Sequence, residues 1–198
     1  MLDIVFSRAG NRLLGPLSLT IHPGDVVWLQ GPNGRGKTSV LKLAMQLLQP
    51  DSGEVRWPAA TMQIPTPVFV GHHNGLKDDL TVQQALTFAA QLHGWVPDPV
   101  AMGASLKRLS VHSLRHRCVG QLSQGEKRRV ALARLLLQKT PLWILDEPLE
   151  ALDSVGVSAV ADILKEHAAA GGAVLMTSHI PVPLPFVWTM ELGAPLLP

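Results

Sequence analysis

The chain has 198 residues, which suits one domain or one domain with an inserted subdomain. Hydrophobic residues make up 46% of it and charged residues 16%, and a net charge of +2 is too small to indicate a nucleic-acid-binding surface by itself. The single cysteine, Cys118, excludes an internal disulfide and indicates a reducing compartment. No apolar run approaches the ~18–20 residues that span a bilayer, so we expect a chain that is soluble by itself.

The first fifty residues predict short strands, a glycine-rich loop and a helix. The opening residues, MLDIVFSRAG, lack the basic-then-apolar layout of a signal peptide. Residues 2–6 and 17–21 have the alternation or the β-branched runs of strands, and the apolar run at 26–30 has the length of a buried strand. After the loop, apolar residues recur at helical spacing over 37–48, until a proline and a glycine end the helix.

The middle of the chain predicts an inserted helical subdomain at about 75–125. Residues 68–73 predict a strand that runs into a loop, and 75–119 look helical without a buried strand. Thr81 and Gln84 have the spacing of a capping box at the start of a helix. The α/β pattern then resumes with helices over 124–137 and 154–170 and strands over 142–146 and 173–178, before a tail at 180–188 that is too proline-rich for a helix.

The glycine-rich loop GPNGRGKTS lies directly between the strand at 26–30 and the helix that follows. Its glycines, lysine and threonine fit the phosphate-binding pattern G-x-x-x-x-G-K-[ST] in the structural context that this pattern requires. Glycine N–H groups can surround phosphate oxygens, and the helix N-terminus adds partial positive charge. We expect Lys37 to reach the β- and γ-phosphates and Thr38 to ligate Mg²⁺, while Arg35 points away. The residues assigned to the loop are Gly31, Pro32, Asn33, Gly34, Arg35, Gly36, Lys37, Thr38 and Ser39.

Two further strands end in polar residues that suit phosphate chemistry. LWILDEP places Asp146 and Glu147 after four apolar residues, where an Asp can associate with Mg²⁺ and a Glu can activate water as general base. His179 follows the strand AVLMTS. Because the carboxyl ends of parallel strands meet at one edge of a sheet, His179 is expected near the γ-phosphate end of the nucleotide.

The motifs GPNGRGKT, LSQGE, WILDEP, EALD and SH stand in the order and spacing of the ATP-binding cassette (ABC) ATPases, which the chain resembles over nearly its whole length. The resemblance implies one cassette over residues 1–198. It also implies an α/β fold: a RecA-like P-loop ABC ATPase core with an N-terminal antiparallel β subdomain and an inserted α-helical subdomain. ATP and Mg²⁺ would be its ligands.

In this family the LSQGE segment binds the nucleotide held by a second subunit of a head-to-tail dimer. The resemblance therefore implies that Ser123 and Gly125 bind the ATP held by the partner, and that Asp153 of EALD lies at the contact between the two copies. A helix N-terminus is a natural anion site. Ser123 and Glu126 also have capping-box spacing, so the segment can cap its own helix as well.

At two positions the chain departs from the common family pattern. His72 stands where a Mg²⁺-contacting glutamine is usual; a histidine there can position water or contact phosphate. The aromatic residue that normally stacks on adenine should lie near Arg8, and the chain has no tyrosine. Either the Arg8 guanidinium stacks on the base or Phe6 replaces the missing aromatic.

A narrower resemblance is carried by VGHHNGLKDDLTVQQAL and QLSQGEKRRVALARL, which are similar to segments of the haem-exporter ATP-binding subunits of cytochrome c maturation. It implies a peripheral ATPase on the cytoplasmic face of the inner membrane, with integral membrane transporter subunits as partners. ATP hydrolysis would drive release of a haem-loaded chaperone. We expect no direct haem binding, because the eight histidines are scattered and His72 belongs to the nucleotide site.

Two other functions are compatible with parts of the sequence. A cytosolic ABC ATPase of nucleic acid or of an assembly pathway could use the basic runs RHR and KRR. Such proteins carry coiled-coil insertions or two cassettes, which this chain lacks, so no nucleic acid is expected and the runs are interpreted as solvated faces or as supports of the LSQGE helix. A nucleotide-binding module without turnover is disfavoured by the presence of Glu147.

Overall fold

The computed structural model describes residues 1–57, 67–94, 96–138 and 140–193. The strands are β1 (Leu2–Arg8), β2 (Asn11–Leu17), β3 (Val26–Gln30), β4 (Ser52–Glu54), β5 (Val68–Val70), β6 (Leu142–Leu145), β7 (Ala173–Thr177) and β8 (Trp188–Glu191). The α-helices are α1 (Lys37–Ala44), α2 (Val82–Leu92), α3 (Pro99–Arg108), α4 (Gln124–Leu137) and α5 (Ser154–Ala169).

The five strands of the core sheet run parallel in the order β5-β6-β7-β3-β8. Their carboxyl ends therefore lie at one edge, and the loops after β3, β5, β6 and β7 meet there. These loops carry the phosphate loop, His72, the two acids and His179. The order of the strands, rather than proximity along the chain, thus brings the predicted site residues together.

A second, antiparallel sheet has the order β2-β1-β4, as expected for the N-terminal part of the chain. The prediction of a strand at 17–21 was wrong, because β2 lies earlier in the chain and ends at Leu17. The chain reverses at Ala9 and Gly10, both at positive φ, so that Asn11 already pairs with Arg8. Leu17 pairs with Ile4, and Leu19 bonds to Met1, the residue before β1, so the pairing with β1 has reached its end by residue 19.

Between β5 and α4, the described residues contain α2, α3 and two 3₁₀ turns, at His112–Leu114 and Val119–Gln121, and no strand. The predicted capping box closes, because the Thr81 hydroxyl accepts from the N–H of Gln84 and the Gln84 side chain accepts from the N–H of Thr81. α3 begins at Pro99, with the Asp98 carboxylate accepting from two N–H groups of its first turn. Residue 95, within the predicted helical stretch, lies outside the described residues.

The other elements follow the sequence with three differences. α4 has the predicted bounds, whereas α1 ends at Ala44 rather than at 48. There Gln46 adopts φ +57° and Leu47 donates to the Lys42 carbonyl, which together form a left-handed C-cap. The strands β4 and β8 were not predicted; both are short and exposed, and both pair with strands more than forty residues away in the chain.

The core sheet buries both of its faces, as a parallel sheet must. On one face, α4 and α5 pack against alternate residues of β6 and β7, including Leu145 and Val174. On the other face, the apolar side of α1 packs against Ile144 and Leu175. The phosphate loop and the acid-bearing loop are therefore attached to elements whose side chains are nearly inaccessible to solvent.

One aromatic pair on the α4/α5 side makes stability depend on pH. The His167 ring stacks on the Trp143 indole at 3.6 Å between centroids, and the side-chain N–H of Trp143 and Nε2 of His167 are buried without a partner. Burial lowers the pKa of His167 below its ordinary 6.5, and a backbone hydrogen bond at Ala173 opposes this only in part.

We expect the free energy of unfolding to fall as the pH drops. A lowered folded-state pKa gives stability that is present above about pH 6.5, the ordinary value, and is lost as the pH falls through the folded value, by at most about 1.4 kcal/mol per pH unit. His167→Leu should flatten this part of the profile in urea unfolding measured between pH 7.5 and 5. An unchanged slope in that variant would assign the loss to other groups.

Candidate functional site

The loop between β3 and α1 is shaped for an anion. Gly36, the N-cap of α1, has φ +88° and no side-chain cap, so the first N–H groups of the helix are free for a ligand. A Cβ at this position would lie 2.9 Å from the Leu14 side chain, and one at Gly31, where φ is +140°, would lie 2.9 Å from the Leu192 carbonyl. A side chain at Gly31 would collide with the backbone, whereas one at Gly36 would displace the Leu14 side chain, and at both positions the positive φ would strain any residue other than glycine.

Lys37 lies folded against this loop. Its Nζ donates to the carbonyl oxygens of Gly31, at 2.6 Å, and Pro32, at 3.4 Å, and the side chain is buried. The ammonium group is thus already beside the free N–H groups of α1. Arg35 does not line the adjoining cavity.

The Asp146 carboxylate, at the carboxyl end of β6, is held by two hydroxyl groups. Thr38 Oγ1 donates to one oxygen at 2.9 Å and Thr177 Oγ1 donates to the other at 2.7 Å. Asp146 is buried, and the three side chains come from the first turn of α1, the loop after β6 and the end of β7. This network joins the phosphate loop directly to the acid-bearing loop.

Glu147 adopts a left-handed backbone with φ +52°, which costs a non-glycine residue free energy and is a frequent feature of functional sites. Its N–H donates to Thr177 Oγ1 at 2.9 Å. Its carboxylate accepts from the backbone N–H of His179 at 2.8 Å and lies 3.4 Å from the Nε2 of the same residue. The Glu147 side chain is largely shielded from solvent, whereas the His179 side chain is exposed.

The hydroxyl group of Thr177 connects the two acids, and substitution by valine removes that hydroxyl while keeping a side chain of similar size. Thr177→Val should leave one oxygen of Asp146 and the N–H of Glu147 without their partner among the described residues. We expect it to lower the free energy of unfolding by about 1–3 kcal/mol and to slow the ATP hydrolysis that the family resemblance implies. Thermal unfolding and steady-state hydrolysis measure the two effects. Ser178→Ala is the matched control, because the hydrogen bonds of that hydroxyl to described residues are confined to the backbone of Ile180. Native hydrolysis in Thr177→Val would show that this hydroxyl does not orient the acids.

These groups face one open cavity of about 630 Å³, within the size range of nucleotide and small-molecule sites. Its lining brings together residues from the phosphate loop, the acid-bearing loop and the loop after β7, which lie far apart in the sequence. The predicted site residues that line it are Asn33, Gly34, Gly36, Lys37, Thr38, Ser39, His72, Asp146, Glu147 and His179. Arg8, Leu13, Glu150, Ala151 and Ile180 complete the lining.

The two positions that depart from the family pattern have definite surroundings. Nδ1 of His72 lies 3.0 Å from the Glu150 carboxylate, and both side chains are exposed at the cavity. Arg8 lines the same cavity. Phe6 is instead partly buried, packs against the second core cluster, pairs with Leu14 on the neighbouring strand and does not line the cavity. Of the two residues considered for the adenine base, only Arg8 lines the cavity.

The LSQGE segment lies outside this cavity and lines another one, of about 570 Å³, together with Asp153. Its capping box is closed: the Ser123 hydroxyl accepts from the N–H of Glu126, and the Glu126 carboxylate accepts from the N–H of Ser123. Those hydrogen bonds hold the pKa of Glu126 below its ordinary value. A Cβ at Gly125 would lie 2.6 Å from the Ala151 carbonyl, so the start of α4 touches the acid-bearing turn.

Asp153 itself caps α5 and pairs with Arg129.

The interpretation of KRR as a solvated face was wrong. Arg128 is buried and donates to backbone carbonyls of the acid-bearing loop, while Lys127 pairs with Asp78 and Arg129 bonds the Leu109 carbonyl. The run instead supports the surroundings of α4, which was the other interpretation. Arg128 was missed as a site residue, although its spacing from Ala131, Leu132 and Leu135 places it on the buried face of that helix.

The residues present fit a Mg²⁺ ion. The Thr38 hydroxyl and the Asp146 carboxylate present adjacent oxygen atoms at the cavity, and Mg²⁺ in phosphate sites is held by one or two such oxygens together with phosphate and water. Within the described ranges no cluster of three or more His, Cys, Asp or Glu side chains forms a metal cage.

A family model and curated relatives both match most of the chain. Residues 14–150 match the family model described as ABC transporter. Cytochrome c biogenesis ATP-binding export protein CcmA of Nitrosomonas europaea is 40% identical over 178 residues, which are 87% of this chain and 84% of that protein. The protein of the same name from Methylococcus capsulatus is 41% identical over 177 residues, 86% of each chain.

Two solved structures share the fold. A putative ABC transporter ATP-binding protein from Pyrococcus furiosus superposes with a TM-score of 0.84 at 27% identity, covering 96% of this chain and 95% of that one. An ATP-binding cassette solved as a dimer in a post-hydrolysis state, bound to ADP and Pi, superposes with a TM-score of 0.79 at 23% identity, covering 90% and 87%.

The fold, the phosphate loop and the paired acids define an ABC-type ATPase, which confirms the expected α/β class. Within that class, the chain belongs to the CcmA family of ATP-binding proteins. Across the part of the chain that the structure describes, no helix is long and apolar enough to cross a bilayer.

Proposed function

We propose that this chain is the ATP-hydrolysing subunit of a membrane transporter in cytochrome c biogenesis, built as a single cassette with helices α2 and α3 in an inserted subdomain. The names of its relatives give the process, and its own geometry supports the chemistry. The observation that carries the proposal is the network in which Thr38 and Thr177 hold Asp146, and Thr177 and His179 hold Glu147, at the mouth of the phosphate loop.

The triphosphate of ATP binds where the free N–H groups of α1 and the Lys37 ammonium face the cavity. Thr38 and Asp146 would hold Mg²⁺, which neutralises charge developing on the phosphate oxygens when it is bound. Arg8 stacks its guanidinium on the adenine base, since it lines the cavity and Phe6 does not.

Glu147 receives the proton of the attacking water as general base. The N–H of His179 fixes the direction of its carboxylate, and the exposed imidazole of His179 is free to donate to the γ-phosphate. His72 faces the same cavity and positions water or contacts phosphate from the loop after β5.

A second copy completes each site in a head-to-tail dimer. Ser123 and Gly125 line a cavity that shares only Ala151 with the one around the phosphate loop, so a single chain does not bring its own LSQGE segment over its own nucleotide site. The Ser123 hydroxyl and the N–H groups at the start of α4 would contact the γ-phosphate held by the other copy. Asp153 lies at the same surface.

The remaining parts of the proposal concern the membrane. The chain binds integral membrane subunits at the cytoplasmic face of the inner membrane as a peripheral protein, and hydrolysis drives release of a haem-loaded chaperone. Haem itself is not bound by this chain. The KRR run does not favour the alternative function on nucleic acid, because Arg128 is buried and its two neighbours are paired with carboxylates.

Affinity purification of the tagged chain from membranes of the native cell tests the proposal. We expect integral membrane proteins to copurify, and the eluate to show a haem absorption band that disappears when the haem-carrying chaperone is deleted. Tagged Lys37→Ala chain, which removes the ammonium group from the phosphate loop, controls for dependence on ATP. Recovery only in the soluble fraction together with RNA would contradict the transporter assignment.

A further inference from the structure

The side chain of Arg128 is the most completely enclosed cationic group of the acid-bearing region. It is 3% exposed, and no carboxylate lies within ion-pairing distance among the described residues. Burial lowers the pKa of Arg128 to about 10, which leaves it charged at neutral pH. A buried charge satisfied by carbonyls alone is a costly arrangement, and a helix that only needed packing there would carry an apolar side chain.

The guanidinium joins two loops that are adjacent only in the folded chain. One nitrogen, Nη1, donates to the Gly71 carbonyl at 2.7 Å and to the Asn74 side-chain oxygen at 3.1 Å. Nη2 donates to the carbonyls of Asp146, at 2.6 Å, and Glu147, at 2.7 Å. Nε donates to the Pro148 carbonyl at 3.3 Å.

The result is that Glu147 is held from both sides of its backbone. Its N–H is fixed by Thr177 and its carbonyl by Arg128, at a residue whose φ of +52° is unfavourable without such support. The planar fork of an arginine can reach carbonyls on both loops at once, whereas the single ammonium group of a lysine cannot.

We propose that Arg128 is a positioning residue for hydrolysis: it locks the backbone of the acid-bearing loop so that the Glu147 carboxylate points into the cavity, and ties that loop to the loop of His72. The inference rests on the proposed function, because it assigns Arg128 to the reaction that Glu147 performs. Arg128 does not line the nucleotide cavity, so it acts on the rate of the chemical step and leaves nucleotide binding unchanged.

The test compares Arg128→Lys and Arg128→Met with Arg134→Met in the purified full-length chain. Arg134 is the matched control, because it is also a poorly exposed arginine of α4, but its partners among the described residues are its own helix and the Phe69 carbonyl. We expect kcat to fall roughly tenfold or more in both Arg128 variants with the KM for ATP within about threefold of wild type. Arg134→Met should keep the native kcat.

Arg128→Lys retains the positive charge. If Arg128→Met does not fold, the kcat of Arg128→Lys tests the inference. A native kcat in Arg128→Lys, or a raised KM with unchanged kcat, overturns the inference while wild-type hydrolysis still stands. An equal loss of kcat in Arg134→Met overturns it too, because any buried arginine of the helix would then suffice. Absence of hydrolysis in the wild-type chain, with or without membrane subunits, would instead overturn the proposed function.

Discussion

Glu147→Gln should reduce ATP turnover by about 10²–10⁴-fold and accumulate a closed, ATP-loaded dimer. The amide has the shape of the carboxylate and can still accept the hydrogen bond from the N–H of His179, so the site keeps its geometry. It cannot take a proton from water at neutral pH, which removes the base and leaves binding intact. Steady-state hydrolysis and size-exclusion chromatography with ATP measure the two effects.

Glu166→Gln is the control for this variant, because Glu166 is an exposed acid of α5 that pairs with Arg108 far from the cavity. It should hydrolyse ATP at the native rate and elute with ATP at the same position as the wild type. If Glu147→Gln hydrolyses ATP at the native rate, Glu147 is not the base. If it loses turnover without accumulating a dimer, the residue acts on binding rather than on the chemical step.

Ser123→Arg should abolish hydrolysis by preventing closure of two copies. The change puts a long cation at the start of α4, on the surface that is proposed to cover the partner's γ-phosphate. Binding of ATP to the phosphate loop of the same chain should remain, since Ser123 does not line that cavity. Nucleotide affinity measured by fluorescence, together with hydrolysis, separates these two steps.

Ser123→Ala controls for the lost helix cap. It removes the same hydroxyl that accepts from the N–H of Glu126, at a cost of about 0.5–2 kcal/mol of stability, without adding bulk. We expect it to keep a measurable fraction of turnover that Ser123→Arg lacks. Unchanged activity of Ser123→Arg, or hydrolysis per chain that is as fast in a highly diluted monomer as at high concentration, would show that one chain forms a whole site.

Local signals were the ones that the sequence predicted well. The closed capping boxes at Thr81 and Ser123, and the bounds of α4, depend on residues within a turn of each other. β8 depends instead on pairing with β3, some 160 residues earlier in the chain, and its Trp188 is exposed at an edge of the sheet. Neither an alternation of apolar and polar residues nor a buried apolar run therefore marked β8 as a strand in the sequence after the proline-rich tail.

The candidate site shows the same division. The phosphate loop could be predicted because one continuous segment carries it, and the acids because they end an apolar strand. Thr177 and Arg128 could not be assigned in this way, because what they do depends on which carbonyl, carboxylate or N–H the fold places beside them. For Arg128 the helical spacing was a usable signal of burial, but its charged neighbours favoured a surface interpretation.

The contact between Gly125 and the Ala151 carbonyl leaves no room for even a methyl group. The turn that follows Glu147, with Ala151 at φ +61°, is in direct contact with the first residues of α4, so it cannot advance toward that helix without displacing it. In the proposed head-to-tail dimer, such a displacement in one pocket would shift the surface this copy offers to its neighbour's pocket. The two ATP molecules of such a pair would then report their state to each other through direct backbone contact, with no side chain as intermediary.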